Sequence, residues 1–219
     1  MNSKVKPIKF KEYREIAHAF LKNVGVDSNT KFPLEMDLLI DKAGYRIEAI
    51  TNLKRDFGVK GCVIKRKGGV FIIGIDSGHY MNEDKYYPFT LAEELGHILS
   101  HGYLYDEINR VQDAIDFLCN LSDADYRMME QQARNVGSNI LLPSFLFDLF
   151  VLDFCKQNVS EIKKEHYYDR WDLADSISEK VSKKLNISKQ PVFYSILKRY
   201  PEPLLIDRII DNLGADLLQ

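Results

Sequence analysis

Every strand-like segment of this chain lies between Tyr45 and Asp76, and almost everything beyond Pro88 carries helical periodicity. A small sheet followed by a larger helical half is therefore the expected architecture, an α+β fold. Residues 45–50, YRIEAI, alternate with β-branched positions, as a strand does. GCVIK and VFIIGID flank Lys67, Gly68 and Gly69, and paired glycines supply the positive φ angles of a tight reversal. The sheet is expected to have three strands and to be mainly antiparallel.

Helices frame this sheet. Ile16, Ala17, Phe20 and Leu21 recur at helical spacing within residues 10–24, and Gly25 follows as a stop. A short helix over residues 36–43 follows Pro33 and ends at Gly44. Downstream, the pattern predicts helices over residues 90–103, 108–119, 124–142 and 144–154, and two more after Arg170. The polar stretch 156–165 is the expected seam, dividing a core domain of residues 1–160 from a C-terminal helical subdomain of residues 161–219.

The 30 basic and 32 acidic side chains nearly cancel, so no global field favours nucleic acid, and direct nucleic-acid binding is not expected. Lys180, Lys183, Lys184, Lys189, Lys198 and Arg199 are interspersed with acids and read as an ordinary surface, and Lys65, Arg66 and Lys67 as a solvated turn. Cys62, Cys119 and Cys155 lack paired spacing and read as reduced core residues. The N-terminal stretch lacks the continuous apolar run of a signal peptide, which predicts a cytoplasmic protein. The most apolar run, residues 140–154, is broken by Pro143, Asp148 and Asp153 and falls short of the roughly 20 residues that span a bilayer, so no membrane partner is expected.

The chemistry concentrates in FTLAEELGHILSH, residues 89–101. Leu91, Leu95, Ile98 and Leu99 form its apolar face. On a helix, Glu93 and His97 at i and i+4 project to one side, and Glu94 reaches the same pocket. This is the spacing of the H-E-x-x-H zinc-peptidase motif, with Glu93 in place of the first histidine. Glutamate binds zinc and also suits harder ions such as manganese. An open catalytic site needs a third protein ligand, and residues 123–143 contain Glu130, Gln131 and Gln132. Glu130 shares its face with Ala133, Gly137 and Leu141, whereas Gln132 points roughly 200° around. Small residues at 133 and 137 would let the helix approach another backbone closely, which favours Glu130.

F-T-L-A-E-E-L-G-H, followed by Glu130, Gln132, Ala133, Leu141, Leu142 and Pro143, resembles the ImmA/IrrE metallopeptidase family. The similarity is weaker upstream through the hairpin and downstream through LADSISEKVSKKLNIS, spanning about residues 32–197. The resemblance implies a zincin-like fold and metal-dependent hydrolysis of a peptide bond, with Zn2+ or Mn2+ as cofactor. Carried over residue by residue, Glu94 is the general base, and Glu93, His97 and Glu130 are the metal ligands. It further implies a protein substrate, a transcriptional repressor of a mobile element or a stress-response regulator. A metal so held lowers the pKa of its water from about 15.7 toward about 7. Two carboxylate ligands leave that water less acidic than two histidines would, so weaker or more metal-dependent activity is expected. A substrate segment is expected to lie extended along an edge of the sheet.

Blander roles compete for the same residues. Thr90 and Glu93 fit a capping box at a helix start. His101, at i+4 from His97, fits either a shifted ligand set with His97 and Glu130 or a place behind the ligands at the helix terminus. His18, His79 and His166 read as surface or packing residues, and Tyr103 and Tyr105 as chance neighbours among twelve tyrosines. A module that keeps the fold and groove but lacks effective metal chemistry is the alternative function.

Overall fold

A computed structural model describes residues 4–66, 68–81, 85–198 and 203–214. The chain is α+β and divides into two compact units, one of residues up to 27 and 34–141, the other of residues 28–33 and from 142 onward.

The first unit opens with α1 (Phe10–Asn23) and α2 (Met36–Lys42). The sheet follows, as β1 (Arg46–Ile50), β2 (Gly61–Lys65) and β3 (Phe71–Asp76), with short helices α3 (Leu53–Phe57) and α4 (Ser77–Met81) before and after the hairpin. Its order is β1-β3-β2, so the last strand lies in the middle. Burial explains the order: Ile72, Ile73 and Ile75 of β3 are all essentially inaccessible, and a strand this apolar needs neighbours on both edges. β2 pairs with β3 antiparallel, Val63 opposite Ile73, whereas β1 pairs with β3 in parallel, Ile47 opposite Ile73. The sheet is therefore mixed rather than mainly antiparallel. Lys67, at the expected hairpin tip, lies outside the described residues; Gly68 and Gly69 have φ of 103° and 87° there, conformations open to glycine.

Three longer helices complete this unit: α5 (Tyr87–His101), α6 (Val111–Cys119) and α7 (Asp123–Leu141). α5 begins three residues before the expected Thr90, because Pro88 sits in its first turn, where a missing N–H costs nothing. The Thr90 hydroxyl donates back to the Tyr86 carbonyl at 3.1 Å instead of capping, so the capping box with Glu93 does not form. α5 and α7 run antiparallel in backbone contact. A Cβ at Gly96 would overlap the Ala133 carbonyl, and one at Gly137 would overlap the Ala92 carbonyl. Two glycines, one on each helix, thus set the spacing of the two helices. α1 packs on the same α7 and buries Tyr13, Ala17, Phe20 and Leu21.

The second unit holds α8 (Ser144–Gln157), α9 (Val159–Ile162), α10 (Arg170–Leu185), α11 (Lys189–Leu197) and α12 (Leu205–Leu213). Three helices rather than two follow Asp169, whose carboxylate caps α10 by accepting from the Trp171 and Asp172 amides at 2.8 and 2.9 Å. The stretch 156–165 lies inside this unit, because α8 packs with α10 and α12, and Arg208 of α12 reaches Asp148 of α8 at 2.7 Å. Lys180, Lys183 and Lys189 are paired with carboxylates, and Lys198 lies over the rings of Trp171 and Tyr194. Arg199 lies outside the described residues. Cys62 and Cys155 are buried, while Cys119 is exposed at the end of α6, away from the core position expected for it. Among the described residues no single helix is long and apolar enough to cross a membrane.

Candidate functional site

Within the first unit, β2, α5, α6 and α7 enclose a cavity of about 360 Å³. Glu93, Glu94 and His97 enter it from α5, Glu130 and Arg134 from α7, and Phe117 and Leu118 from α6. The helical spacing that puts Glu93, Glu94 and His97 on one side of α5 also turns them toward α7, because Gly96 faces that helix.

His97 and Glu130 meet: Nε2 and Oε1 are 3.4 Å apart. Two donor atoms on a tetrahedral ion with bonds of 2.0–2.2 Å lie about 3.3–3.6 Å from each other. The pair therefore stands at the spacing of two ligands of one ion, and among the described residues the buried Nδ1 of His97 has no hydrogen-bond partner. Glu93 is disposed differently. Its Oε1 accepts from Arg134 Nε at 2.5 Å, and Arg134 Nη2 donates to Glu130 Oε2 at 3.0 Å. A guanidinium thus bridges two of the three expected ligands. Among the described residues no three His, Cys, Asp or Glu side chains converge tightly enough to hold an ion in this conformation. His97 and Glu130 stand at the spacing of two ligands of one ion, while Glu93 is held by Arg134.

Glu94 is buried, and its carboxyl packs over β2 so closely that a Cβ at Gly61 would lie 2.5 Å from Oε1. Burial pushes its pKa up to about 8; Glu93 and Glu130 add to the rise and His97 opposes it. The result is a carboxyl that changes protonation near neutral pH, as a proton-transfer group must. Burial alone would lower the His97 pKa, but the Glu130 hydrogen bond and the charges of Glu94, Glu130 and Glu93 outweigh it and raise the value. For Glu130, burial is outweighed by the bond to His97 and the charges of His97 and Arg134, and its pKa falls. Tyr105 and the Cys62 thiol also line the cavity; burial and then the Glu94 charge raise both, the thiol to about 12.

His101 is engaged with α7 through one ring nitrogen. It is fully buried, and its Nε2 is 2.8 Å from Gln132 Oε1, while Gln132 Nε2 donates to the Lys6 carbonyl at 3.1 Å. Because the amide nitrogen serves Lys6, the oxygen faces His101, which must carry its proton on Nε2. Burial lowers the His101 pKa to about 4, so the ring is neutral. The Gln132 bond commits Nε2 of His101 and not Nδ1, and His101 is not among the described residues that line the cavity; Gln132 itself is buried. His79 is buried against Thr90, with Nε2 and Oγ1 3.1 Å apart.

The edge of β2 completes the site. Arg66 donates to the Val70 carbonyl and Asp76 to the Lys60 carbonyl, so the even-numbered residues of β2 bond to β3. Gly61, Val63 and Lys65 must then present their backbone groups outward. The Lys65 amide donates to the Ile108 carbonyl at 2.7 Å, whereas Gly61 and Val63 line the cavity.

Arg134 is a charged residue of the cavity that the sequence did not single out. Its signal was present as an i, i+4 Glu-Arg pair beginning at Glu130. No protein-family model matches this chain, and no curated protein matches it.

Proposed function

We propose that the protein is a metal-dependent peptidase, with zinc as the metal or manganese in its place, built on a zincin-like first unit. The observation that carries this reading is the 3.4 Å approach of His97 Nε2 to Glu130 Oε1, at ligand spacing, beside the buried carboxyl of Glu94. His97 and Glu130 would hold the metal, joined by Glu93 on its release from Arg134. When bound, the metal supplies a Lewis acid that activates water and polarises a carbonyl.

The remaining work falls to the chain's own side chains. Glu94 in its ionised form, which a neighbouring dication favours, would take a proton from the attacking water and return it to the leaving amine. Gly61 gives its carboxyl room, and the outward backbone groups of half-buried Gly61 would meet the main chain of an extended substrate segment. Following the resemblance of FTLAEELGH and its partner helix, the substrate is a regulator of the repressor class, and the compartment is the cytoplasm.

The experiment is elemental analysis of untagged protein together with His97→Ala and Glu130→Ala. About one zinc or manganese per chain, lost in both variants, supports the reading. No metal after reconstitution of any form sinks it. One observation favours a second reading, a metal-free peptide-binding module: Arg134 already bridges Glu93 and Glu130 as a cation would. Glu94→Gln separates the two, since it stops cleavage by a peptidase and leaves a binding module unchanged.

A further inference from the structure

We propose that Arg134 is an internal competitor for the metal position, a residue that sets how tightly the site loads; the inference rests on the peptidase reading. Arg134 arises from α7 one turn beyond Glu130 and crosses to α5, giving Nε to Glu93 at 2.5 Å and Nη2 to Glu130 at 3.0 Å. These are its hydrogen bonds among the described residues. The planar fork matches two carboxylates and binds them as a point charge would not.

A dication and the guanidinium cannot share those oxygens. Two positive groups a few ångströms apart in a partly buried site repel strongly, so metal entry moves Arg134 out. The exit is open, because the Arg134 side chain is 57% exposed while the two carboxylates are 18% exposed. Any contact made only in the metal-free state lowers metal affinity by the amount it stabilises that state. The competing effect, that Arg134 pre-positions the carboxylates by suppressing their mutual repulsion, does not reverse the sign. It too stabilises only the metal-free state. The site therefore loads with the more tightly binding divalent ions and resists weak ones.

The test is calorimetric titration of Zn2+ and of Mn2+ into the chelator-stripped full chain, as native protein, Arg134→Gln and Arg134→Lys. Arg134→Gln should bind both ions roughly 10- to 100-fold more tightly, and Arg134→Lys, which keeps the charge and loses the fork, should lie between. In the native protein the 15N resonance of the Arg134 Nε–H should be protected from exchange and lose that protection as Zn2+ is added, a readout that needs no variant to fold. Equal or weaker binding by Arg134→Gln overturns the inference and leaves the metal centre standing. Absence of binding by all three forms overturns the inference and the peptidase reading together.

Discussion

Glu94 in the first unit and Glu165 in the second each have charged or hydrogen-bonding neighbours, and they titrate in opposite directions. Glu94 is buried among two other carboxylates, and its pKa rises to about 8. Glu165 sits at the surface, accepts from Lys180, Ser176 and Tyr167 at 2.6, 2.7 and 2.9 Å, and its pKa falls to about 2. The first arrangement keeps a proton poised at a cost in stability; the second uses its acceptors to tie the loop before α10 to that helix. Chemistry and cohesion are thus built from the same side chain by the choice of neighbours.

Glu94→Gln should separate the two roles most sharply. On the peptidase reading proposed above, peptide hydrolysis should fall by on the order of 10²–10⁴-fold. Stability should move the other way. A carboxyl whose folded pKa is raised from 4.5 to about 8 loses stability as pH climbs through that interval, because the native state holds the proton that the unfolded state releases. The glutamine variant should therefore exceed the native protein by on the order of 2–4 kcal/mol at pH 8.5, and match it near pH 4, in chemical denaturation. A variant no more stable at pH 8.5 would remove the contrast with Glu165.

Gly61→Ala asks whether the room over β2 is needed. The new methyl group displaces the Glu94 carboxyl, and activity should drop by about 10- to 100-fold with a stability loss of about 1–3 kcal/mol. Full activity in a folded Gly61→Ala protein would show that Glu94 works from elsewhere. Gln132→Leu tests the buried polar pair behind His97: with His101 Nε2 and the Lys6 carbonyl both unpaired, we expect a loss of about 2 kcal/mol by thermal unfolding. Glu165→Gln should have the smallest effect. Because that carboxylate is partly exposed and screened, we expect about 1 kcal/mol in the second unit at pH 7. The sign is opposite to that of Glu94. The depressed pKa contributes above pH 4.5 and is lost as pH falls through about 2, so the difference from the native protein should vanish in strong acid.

The helices that carry the site were legible because i, i+4 geometry is local: Glu93, Glu94 and His97 share a face wherever α5 lies. The close approach of α7 was legible in Ala133 and Gly137 for the same reason. The parallel pairing of β1 with β3 was not, since a hairpin intervenes and strand order follows from which strand is most apolar, not from sequence adjacency. The start of α5 was misplaced because Pro88 reads as a boundary, although proline is tolerated in a first helical turn. Arg134 escaped notice because a helical wheel assigns a face and says nothing of how far a long side chain reaches. Its partner Glu93 lies 41 residues away.

The hydrogen bond from the Lys65 amide to the Ile108 carbonyl has a consequence for what can attach to this protein. An open edge strand is a template on which copies and misfolded neighbours add indefinitely. Here the β2 template is plugged at Lys65 and Val63 is buried, so among the described outward-facing residues of β2 Gly61 is left within reach of a visitor, too short a run for stable accretion. A segment held there stays because of its side chains and its fit to the cavity, and one that lacks them falls away. The β2 edge can greet a guest briefly without becoming the seed of a fibril.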